Sequence, residues 1–239
     1  MNTPAKNPWD DPRIASGMRR QFALRKKQFD AGAKQIGWKV GFGTKAAKEK
    51  LGIAMPLVGF LLDRAVLPSG ATVSLHGWQQ PAAEPEIAVY LGKDVPAGAS
   101  RETAKSCIAA LGPAIELADI TCPIEDVETV LDRDIFNRHV VLGPRDNARA
   151  GARLDGLKGR VLRSSKDVEV PADLEANIGE LIEIVRHVGD VVAHFGDSLR
   201  AGQFIICGSV TALQIMQPGD TTFEWNLDPI GKISVDFRG

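Results

Sequence analysis

The 239-residue sequence is poor in the residues that build thiolate and imidazole sites. Its three cysteines, Cys107, Cys122 and Cys207, are far apart and form no Cys-x-x-Cys pair. This number and spacing argue against a disulfide framework and against a thiolate zinc site. The four histidines are scattered, and no two have the spacing of a helical zinc-binding pair. We therefore interpret the cysteines as reduced packing residues.

An excess of charge of one sign and a long apolar run are also lacking. The 29 Lys and Arg residues balance 30 Asp and Glu, for a formal net charge of -1, so no bulk field attracts nucleic acid or an anionic membrane. No apolar run approaches the ~20 residues that span a bilayer, and the start from Met1 to Asp11 lacks the apolar segment of a signal peptide. We expect a cytoplasmic protein with a short loose N-terminus.

Phosphate-binding loops are missing as well. The nearest approach to a GxGxxG motif starts at Gly41, and Asp63 follows at a suitable distance. Only a very short helix lies between them, and no run of βαβ units follows. The sequence therefore does not favour a dinucleotide-binding site.

Short strands outnumber helices in what the chain does contain. Helical patterns are predicted over 14–34, 124–138 and 174–196, and most other segments resemble short strands between turns. The hydrophobic content of 44% suffices for a substantial core. We predict one α+β domain over 1–239, with a helical N-terminal appendage at 1–35 and a β-rich catalytic core at 36–239.

Two glutamates share one face of the predicted strand Pro81–Gly92. Strand alternation places Glu84 and Glu86 on the same side, with apolar residues on the other. Their backbones are about 7 Å apart, so the two charges repel unless solvent screens them or a cation lies between them. This face is either an ordinary wet strand face or half of a metal site.

Glu116 and Lys39 are candidate site residues for separate reasons. Glu116 stands between alanines in a strand pattern, and a carboxylate in apolar surroundings costs several kcal/mol unless it is paired, protonated or bound to a metal. Lys39 shares its strand face with Gly37 and Gly41, which leaves space for a ligand. In both cases an edge strand is the alternative interpretation.

Three motifs together resemble the fumarylacetoacetate hydrolase superfamily. They are Gly37-Trp38-Lys39-Val40-Gly41, Glu84-Pro85-Glu86 and Pro113-Ala114-Ile115-Glu116. The likeness runs from about Met18 to the C-terminus, and it depends on the order and spacing of these and further short motifs. It is strongest to the branch that contains 2-oxopent-4-enoate hydratases and 4-oxalocrotonate decarboxylases.

The resemblance implies a mixed β-roll fold with a helical N-terminal segment and a metal site. Mg²⁺ or Mn²⁺ would be held by Glu84, Glu86 and Glu116, which suits a hard cation that prefers oxygen ligands. It also implies a homodimer or a higher homo-oligomer, and a small 2-oxo or 2-hydroxydienoic acid as substrate.

The resemblance assigns further residues to the substrate. Lys39 and Asp63 match positions near it, where Lys39 would bind or protonate its oxyanionic end and Asp63 would orient it or a water. An Asp at the end of an apolar strand is otherwise a turn residue. Ser209 and Thr211 match a turn that holds the substrate carboxylate, although capping a strand turn would explain them equally well.

Two departures from the family pattern bear on the activity. Hydrolases of the superfamily use an early His and Glu pair, whereas this chain has no histidine before His76. The segment 133–139, which ends at His139, replaces an Asp-Asn and small residues, and predicts a bulkier and more basic pocket wall. The implied function is a metal-dependent hydratase of 2-hydroxypenta-2,4-dienoate-like acids in aromatic catabolism. Alternatives are a 4-oxalocrotonate-type decarboxylase, an acylpyruvate or fumarylacetoacetate-type hydrolase, and a non-catalytic partner subunit.

Overall fold

A computed structural model describes residues 7–238, so the expected loose start lies partly outside the described residues. The helices are α1 (Pro12–Asp30), α2 (Lys45–Leu51), α3 (Arg101–Cys107), α4 (Val127–Asp132) and α5 (Leu181–His194). The strands are β1 (Gln35–Gly41), β2 (Leu57–Leu62), β3 (Val66–Leu67), β4 (Ala71–Ser74), β5 (Pro81–Leu91), β6 (Ile108–Asp119), β7 (Asn137–Leu142), β8 (Lys158–Arg163), β9 (Lys166–Val168), β10 (Phe204–Ser209), β11 (Gln214–Ile215), β12 (Thr222–Asp228) and β13 (Gly231–Arg238). The predicted α+β class is confirmed.

The strands form two sheets. A curled eight-stranded sheet has the order β2-β1-β10-β5-β6-β7-β3, with β11 also paired to β5. It is mixed, because β1 runs parallel to β10 and β3 parallel to β7, while the other pairs are antiparallel. The second sheet has the order β4-β13-β12-β8-β9 and packs against β6. Its Trp225 donates a hydrogen bond from Nε1 to the Glu86 carbonyl at 2.9 Å, which joins the two sheets.

Alternation along β5 divides its side chains between two hydrophobic clusters. Ile87, Val89 and Leu91 belong to the large core, which also takes in side chains of the five-stranded sheet. Ala88 and Tyr90 belong to a smaller cluster on the opposite face. The other buried members of that cluster are Leu61, Ala110, Ala114, Val140, Phe204 and Ile206. The face that carries Glu84 and Glu86 is thus the face of the small cluster.

Helix α1 begins at an N-cap and packs closely against α4. The Asp11 side chain accepts a hydrogen bond from the Arg13 amide at 2.9 Å, and Pro12 occupies the first helical position. Gly17 permits the approach to α4, since a Cβ atom there would lie 2.7 Å from the Cβ of Leu131. The buried Gln21 amide then donates to the Leu131 carbonyl at 3.1 Å.

Two predicted helices are shorter than their hydrophobic patterns. The pattern over 174–196 becomes helical only at Leu181, because Gly179 has a φ of +87°. The pattern over 124–138 is helical only in α4, after which Asp134, Ile135 and Phe136 have φ values of 50°, 50° and 65°. Within 7–238, no helix combines the length and the apolar character needed to cross a membrane.

Candidate functional site

Strand register brings the predicted acids together on one face of the curled sheet. Glu84 of β5 lies directly opposite Glu116 of β6, and Glu86 lies opposite Ala114. On the other side of β5, a register shift in β10 places Ser209 opposite Glu86. Two neighbouring strands and one bulge therefore position the polar groups, since side chains of directly opposed residues point to the same side.

Lys39 reaches this group from β1, which is two strands away from β5. It is 2% exposed, forms an ion pair with Glu116, and donates a hydrogen bond to the Ile135 carbonyl at 2.9 Å. Burial opposes its charge, but the negative charges of Glu116 and Glu84 outweigh this and raise the pKa of the ammonium group. Lys39 is therefore a charged lysine at neutral pH.

Glu84 and Glu86 are acids in surroundings that disfavour their charged forms. Burial, together with repulsion from Glu116, raises the pKa of Glu84 to about 7 even though Lys39 acts in the opposite direction. Burial and both neighbouring glutamates raise the pKa of Glu86 well above its usual range. The Glu86 Oε2 accepts a hydrogen bond from the Gly208 amide at 2.6 Å, whereas its buried Oε1 has no partner among the described residues.

The turn after α4 contributes two polar residues that the sequence did not single out. Asn137 donates from Nδ2 to the Glu116 Oε1 at 2.7 Å. Asp134 is buried and accepts a hydrogen bond from the Phe60 amide at 2.8 Å. Between them, the left-handed backbone at Ile135 directs its carbonyl to Lys39. The local pattern predicts a helix here, so only the position of these polar residues near one another in the chain signals a site.

A cavity of about 510 Å³ opens above the charged residues. Lys39, Glu84 and Glu116 lie in its lining, and so do Ser209 and Thr211. The Ser209 and Thr211 hydroxyls are 3.5 Å apart, and Thr211 donates to the Ala212 carbonyl at 2.9 Å. The remaining wall is mostly apolar. An acidic floor with one buried cation beneath a mostly apolar cavity suits a small anion held through a metal.

The family model described as "Fumarylacetoacetate (FAA) hydrolase C-terminal" matches residues 34–238. The chain belongs to the fumarylacetoacetate hydrolase family. Among its relatives is a 2-hydroxyhexa-2,4-dienoate hydratase of Comamonas testosteroni, which is 28% identical over 214 residues, 87% of this chain and 80% of the relative. Another is a 4-oxalocrotonate decarboxylase of Pseudomonas putida, which is 24% identical over 231 residues, 90% of this chain and 82% of the relative.

Solved structures of family members share the fold. The 4-oxalocrotonate decarboxylase from Pseudomonas putida G7, complexed with calcium and acetate, superposes with a TM-score of 0.85 at 24% identity, over 94% of this chain and 86% of that one. The same enzyme complexed with magnesium and adipate gives 0.84 at 22% identity, over 98% and 91% of the two chains. The β-roll fold and the family branch read from the sequence are confirmed.

The chemistry of the three glutamates fits the divalent cation that such relatives bind. Among residues 7–238, Glu86 has a buried oxygen without a partner, and burial together with repulsion from Glu116 raises the pKa of Glu84. A cation among them would relieve both conditions. Across residues 7–238, no three side chains of the His, Cys, Asp and Glu types converge as a ligand set. The Glu116 Oε1 contacts Lys39 and Asn137 instead. The three-glutamate metal site therefore stays a prediction.

Two predicted site residues do not line the cavity: Glu86, which is fully buried next to the lining residue Gly208, and Asp63, which lies apart from the site. Asp63 is exposed at the end of β2, and its Oδ1 accepts hydrogen bonds from the amides of Lys34 at 3.1 Å and Arg64 at 2.9 Å. Lys39 pairs with Gly59, four residues earlier in the strand, so the two side chains are separated by about 13 Å of strand. Asp63 acts here as a turn residue.

The predicted pocket wall is bulkier but not more basic. Ile135 and Phe136 line the cavity, whereas Arg133 and Arg138 line a smaller pocket beside Asp119. Arg138 forms an ion pair with Asp119 at 3.0 Å. The histidines also lie apart from the cavity. His76 is exposed, and His139 stacks on Trp78 with ring centroids 6.2 Å apart.

Proposed function

We propose that the protein is a divalent-metal-dependent lyase that hydrates 2-hydroxypenta-2,4-dienoate-like acids, which are intermediates of aromatic catabolism. One observation carries this proposal. The buried Lys39–Glu116 pair lies with Glu84 in the floor of a cavity whose wall is otherwise mostly uncharged. Two relatives of the chain, the 2-hydroxyhexa-2,4-dienoate hydratase and the 4-oxalocrotonate decarboxylase named above, support a lyase reaction.

The reaction needs negative charge to be stabilised at the C2 oxygen of the substrate. The dienol loses its hydroxyl proton and gains one at its terminal carbon, after which water adds to the remaining alkene. Mg²⁺ or Mn²⁺, held by Glu84, Glu86 and Glu116, would supply Lewis-acid stabilisation of that oxygen. A 2-oxo acid presents two oxygens to such an ion, its carboxylate and its C2 oxygen.

Lys39 would bind the substrate oxyanion or donate a proton to it. An ammonium group has three N–H donors, and two of those of Lys39 are directed at Glu116 and the Ile135 carbonyl. The third would contact the substrate, since Lys39 lines the cavity. The Ser209 and Thr211 hydroxyls would hold the substrate carboxylate, since both line the same cavity. No role is proposed for Asp63.

The wall of the cavity favours hydration over decarboxylation of a dicarboxylic acid. Lys39 is the only basic side chain in its lining, as far as residues 7–238 are concerned, and it is already paired. A second carboxylate on the substrate would therefore be buried without a counter-ion, which is costly. Decarboxylation remains the second candidate, because the chain matches decarboxylases over most of its length.

Ultraviolet absorbance of two substrates distinguishes these candidates. Purified protein is mixed with 2-hydroxypenta-2,4-dienoate or 2-oxohex-3-enedioate, with added Mg²⁺ or Mn²⁺ or with EDTA. Metal-dependent loss of the first substrate alone supports the hydratase. Loss of the second with CO₂ release identifies the decarboxylase, and the absence of both reactions and of metal binding contradicts the enzyme proposal.

The remaining alternatives are addressed by the same sample. An acylpyruvate substrate tests carbon–carbon hydrolysis, which is disfavoured because no histidine lines the cavity among the described residues. A partner subunit without activity would bind neither metal nor substrate.

A single domain, a cytoplasmic location and a homodimer or larger homo-oligomer stay predictions. Light scattering on the purified protein measures the size of the oligomer.

A further inference from the structure

The cavity lining changes from buried, charged residues in the floor to apolar, more exposed residues towards solvent. In the floor, Lys39 and Glu116 are 2% and 1% exposed. Towards solvent the lining includes Ile120 and Ile124, which follow β6 and are only partly buried, and Leu213, which is 46% exposed. Ala46 and Ala47 of α2 complete this side. We call Ala46, Ala47, Ile120, Ile124 and Leu213 the apolar mouth.

The cavity is larger than a five-carbon substrate requires. At about 30 Å³ for each water-sized group, 510 Å³ holds roughly 17 non-hydrogen atoms, whereas 2-hydroxypenta-2,4-dienoate has about eight. A metal ion and two or three waters would fill only part of the difference. Apart from Thr44, Asn177 and the Ser209 and Thr211 hydroxyls, the lining outside the floor is apolar, so a group that fills the remaining space meets mainly apolar neighbours.

Leu213 is an exposed hydrophobic residue that packs against neither hydrophobic cluster of the described residues. It follows the turn at Thr211 and precedes the short strand β11, and it is the most exposed of the three large exposed hydrophobic residues in 7–238. Its side chain lines the cavity instead of joining either hydrophobic cluster. A leucine at the rim of a cavity is well suited to contact an apolar group that enters there.

We infer that the apolar mouth binds an uncharged apolar tail, so that the substrate is a 2-hydroxydienoic acid with several carbons beyond the five of the simplest one. This inference rests on the proposed function, because the charged floor must hold the 2-oxo acid group. The tail gains by leaving water, and a charged tail is excluded because the mouth offers it no counter-ion.

Binding of unreactive 2-oxo acids tests the tail separately from turnover. Calorimetry in the presence of Mn²⁺ compares pyruvate, 2-oxopentanoate, 2-oxohexanoate and 2-oxooctanoate with a 2-oxo-dicarboxylate of the same length. The Kd should fall about fourfold for each added methylene until the mouth is filled. The dicarboxylate should bind more weakly than the monoacid of equal length.

A charged substitution in the apolar mouth tests whether the substrate tail binds there. Leu213→Asp should remove most of the gain from 2-oxopentanoate to 2-oxooctanoate, and Leu213→Asn should remove less of it. Val66→Asp is the matched control, because Val66 is also an exposed aliphatic residue, at 38%, and lies outside the cavity lining. The control should keep the full dependence on chain length.

The outcomes separate the two proposals. Binding of pyruvate with no gain from longer tails, equal binding of the dicarboxylate, or an equal loss in the Val66 control overturns the inference about the tail and leaves the proposed function standing. Failure to bind any 2-oxo acid with Mn²⁺ present overturns the proposed function and the inference with it. Among turnover substrates, kcat/KM should rise in the same order as affinity.

Discussion

The two halves of strand β5 use the same face for opposite purposes. Towards its start, Glu84 lines the cavity and Glu86 binds the lining residue Gly208, whereas towards its end, Ala88 and Tyr90 belong to a small apolar cluster. The alternation is unbroken between them. The difference therefore lies in the side chains of β5 and in the strands that pair with each half.

Strand β10 shows how the neighbours differ. Opposite Ala88 and Tyr90 it places Ile206 and Phe204, in regular register. The register then shifts, and Gly208, with a φ of +94°, turns its amide to the Glu86 carboxylate. A bulge of this kind redirects backbone donors at the edge of a functional site. One face of a sheet can therefore be hydrophobic core at one end and part of a polar site at the other, where the neighbouring strand has a bulge.

The largest effect should come from removing a carboxylate from the charged half. Glu116→Ala is expected to weaken Mn²⁺ binding by at least about 100-fold, because an oxygen ligand matters more than the outer partners that cost 10–100-fold. Calorimetry measures the Mn²⁺ affinity of this variant and of Glu116→Gln, which removes the charge but keeps the side-chain volume. The control Glu102→Ala changes an exposed glutamate of α3. Unchanged Mn²⁺ affinity in both Glu116 variants would remove the three-glutamate site.

Lys39→Met should destabilise the metal-free protein by about 3–5 kcal/mol. The variant leaves the buried Glu116 without its counter-ion, and breaking a buried pair from one side costs about this much. Urea unfolding measures the change, and added Mn²⁺ should recover part of it by binding the native state. Lys26→Met, which removes an exposed partner of Asp30, should cost less than about 1 kcal/mol. Equal losses in the two variants contradict this interpretation.

Asn137→Ala should weaken Mn²⁺ binding by about 10–100-fold without removing it. Asn137 orients the Glu116 carboxylate through its Nδ2, and second partners of metal ligands typically have effects of this size. The exposed Asn147 supplies the control variant Asn147→Ala. If Asn137→Ala binds Mn²⁺ like the wild type, its hydrogen bond to Glu116 belongs to packing alone.

Acid should weaken metal binding through the charged half. Because burial and the nearby Glu116 raise the pKa of Glu84 to about 7, Mn²⁺ must displace a proton below that pH. The Mn²⁺ affinity should therefore fall by up to about tenfold for each pH unit as the pH drops below 7. The metal-free protein should show the opposite trend in unfolding free energy, which should decrease as pH rises from 4.5 to about 7, since the folded state retains the proton that the unfolded state has lost. A flat affinity between pH 5.5 and 8 would contradict the raised pKa.

Local pattern predicts the charged half well because alternation is a property of one strand. Glu84, Glu86 and Glu116 follow from period-two placement, and Lys39 from the absence of side chains beside it. Which residues of different strands meet depends on register, which a single strand does not determine. Asp63, which only the resemblance assigns to the substrate, lies beyond the end of the β1–β2 pair, where the local pattern predicts a turn residue.

The turn at 134–136 could not be predicted for a different reason. Three successive residues other than glycine adopt left-handed backbone there, each at a cost of about 1–2 kcal/mol. Local propensity favours a helix, so only tertiary contacts maintain the turn. Those contacts are the Asp134 hydrogen bond to Phe60 and the Lys39 bond to Ile135. A sequence contains no local signal for a conformation that its own local preferences oppose.

The smallest effect should come from the apolar half of β5. Tyr90→Phe removes a buried hydroxyl beside the Arg145 guanidinium, whose Cζ lies 4.2 Å from the ring centroid, and keeps the ring that packs 5.7 Å from Phe204. The loss of this one weak polar contact is offset by the avoided desolvation of the hydroxyl, so the unfolding free energy should change by less than about 1 kcal/mol. Mn²⁺ affinity and its pH dependence should match the wild type. Since Tyr90 shares the face of Glu86 four residues away, a weaker metal site in Tyr90→Phe would mean that the two halves are energetically coupled, and the division between core and site drawn along this strand would be wrong.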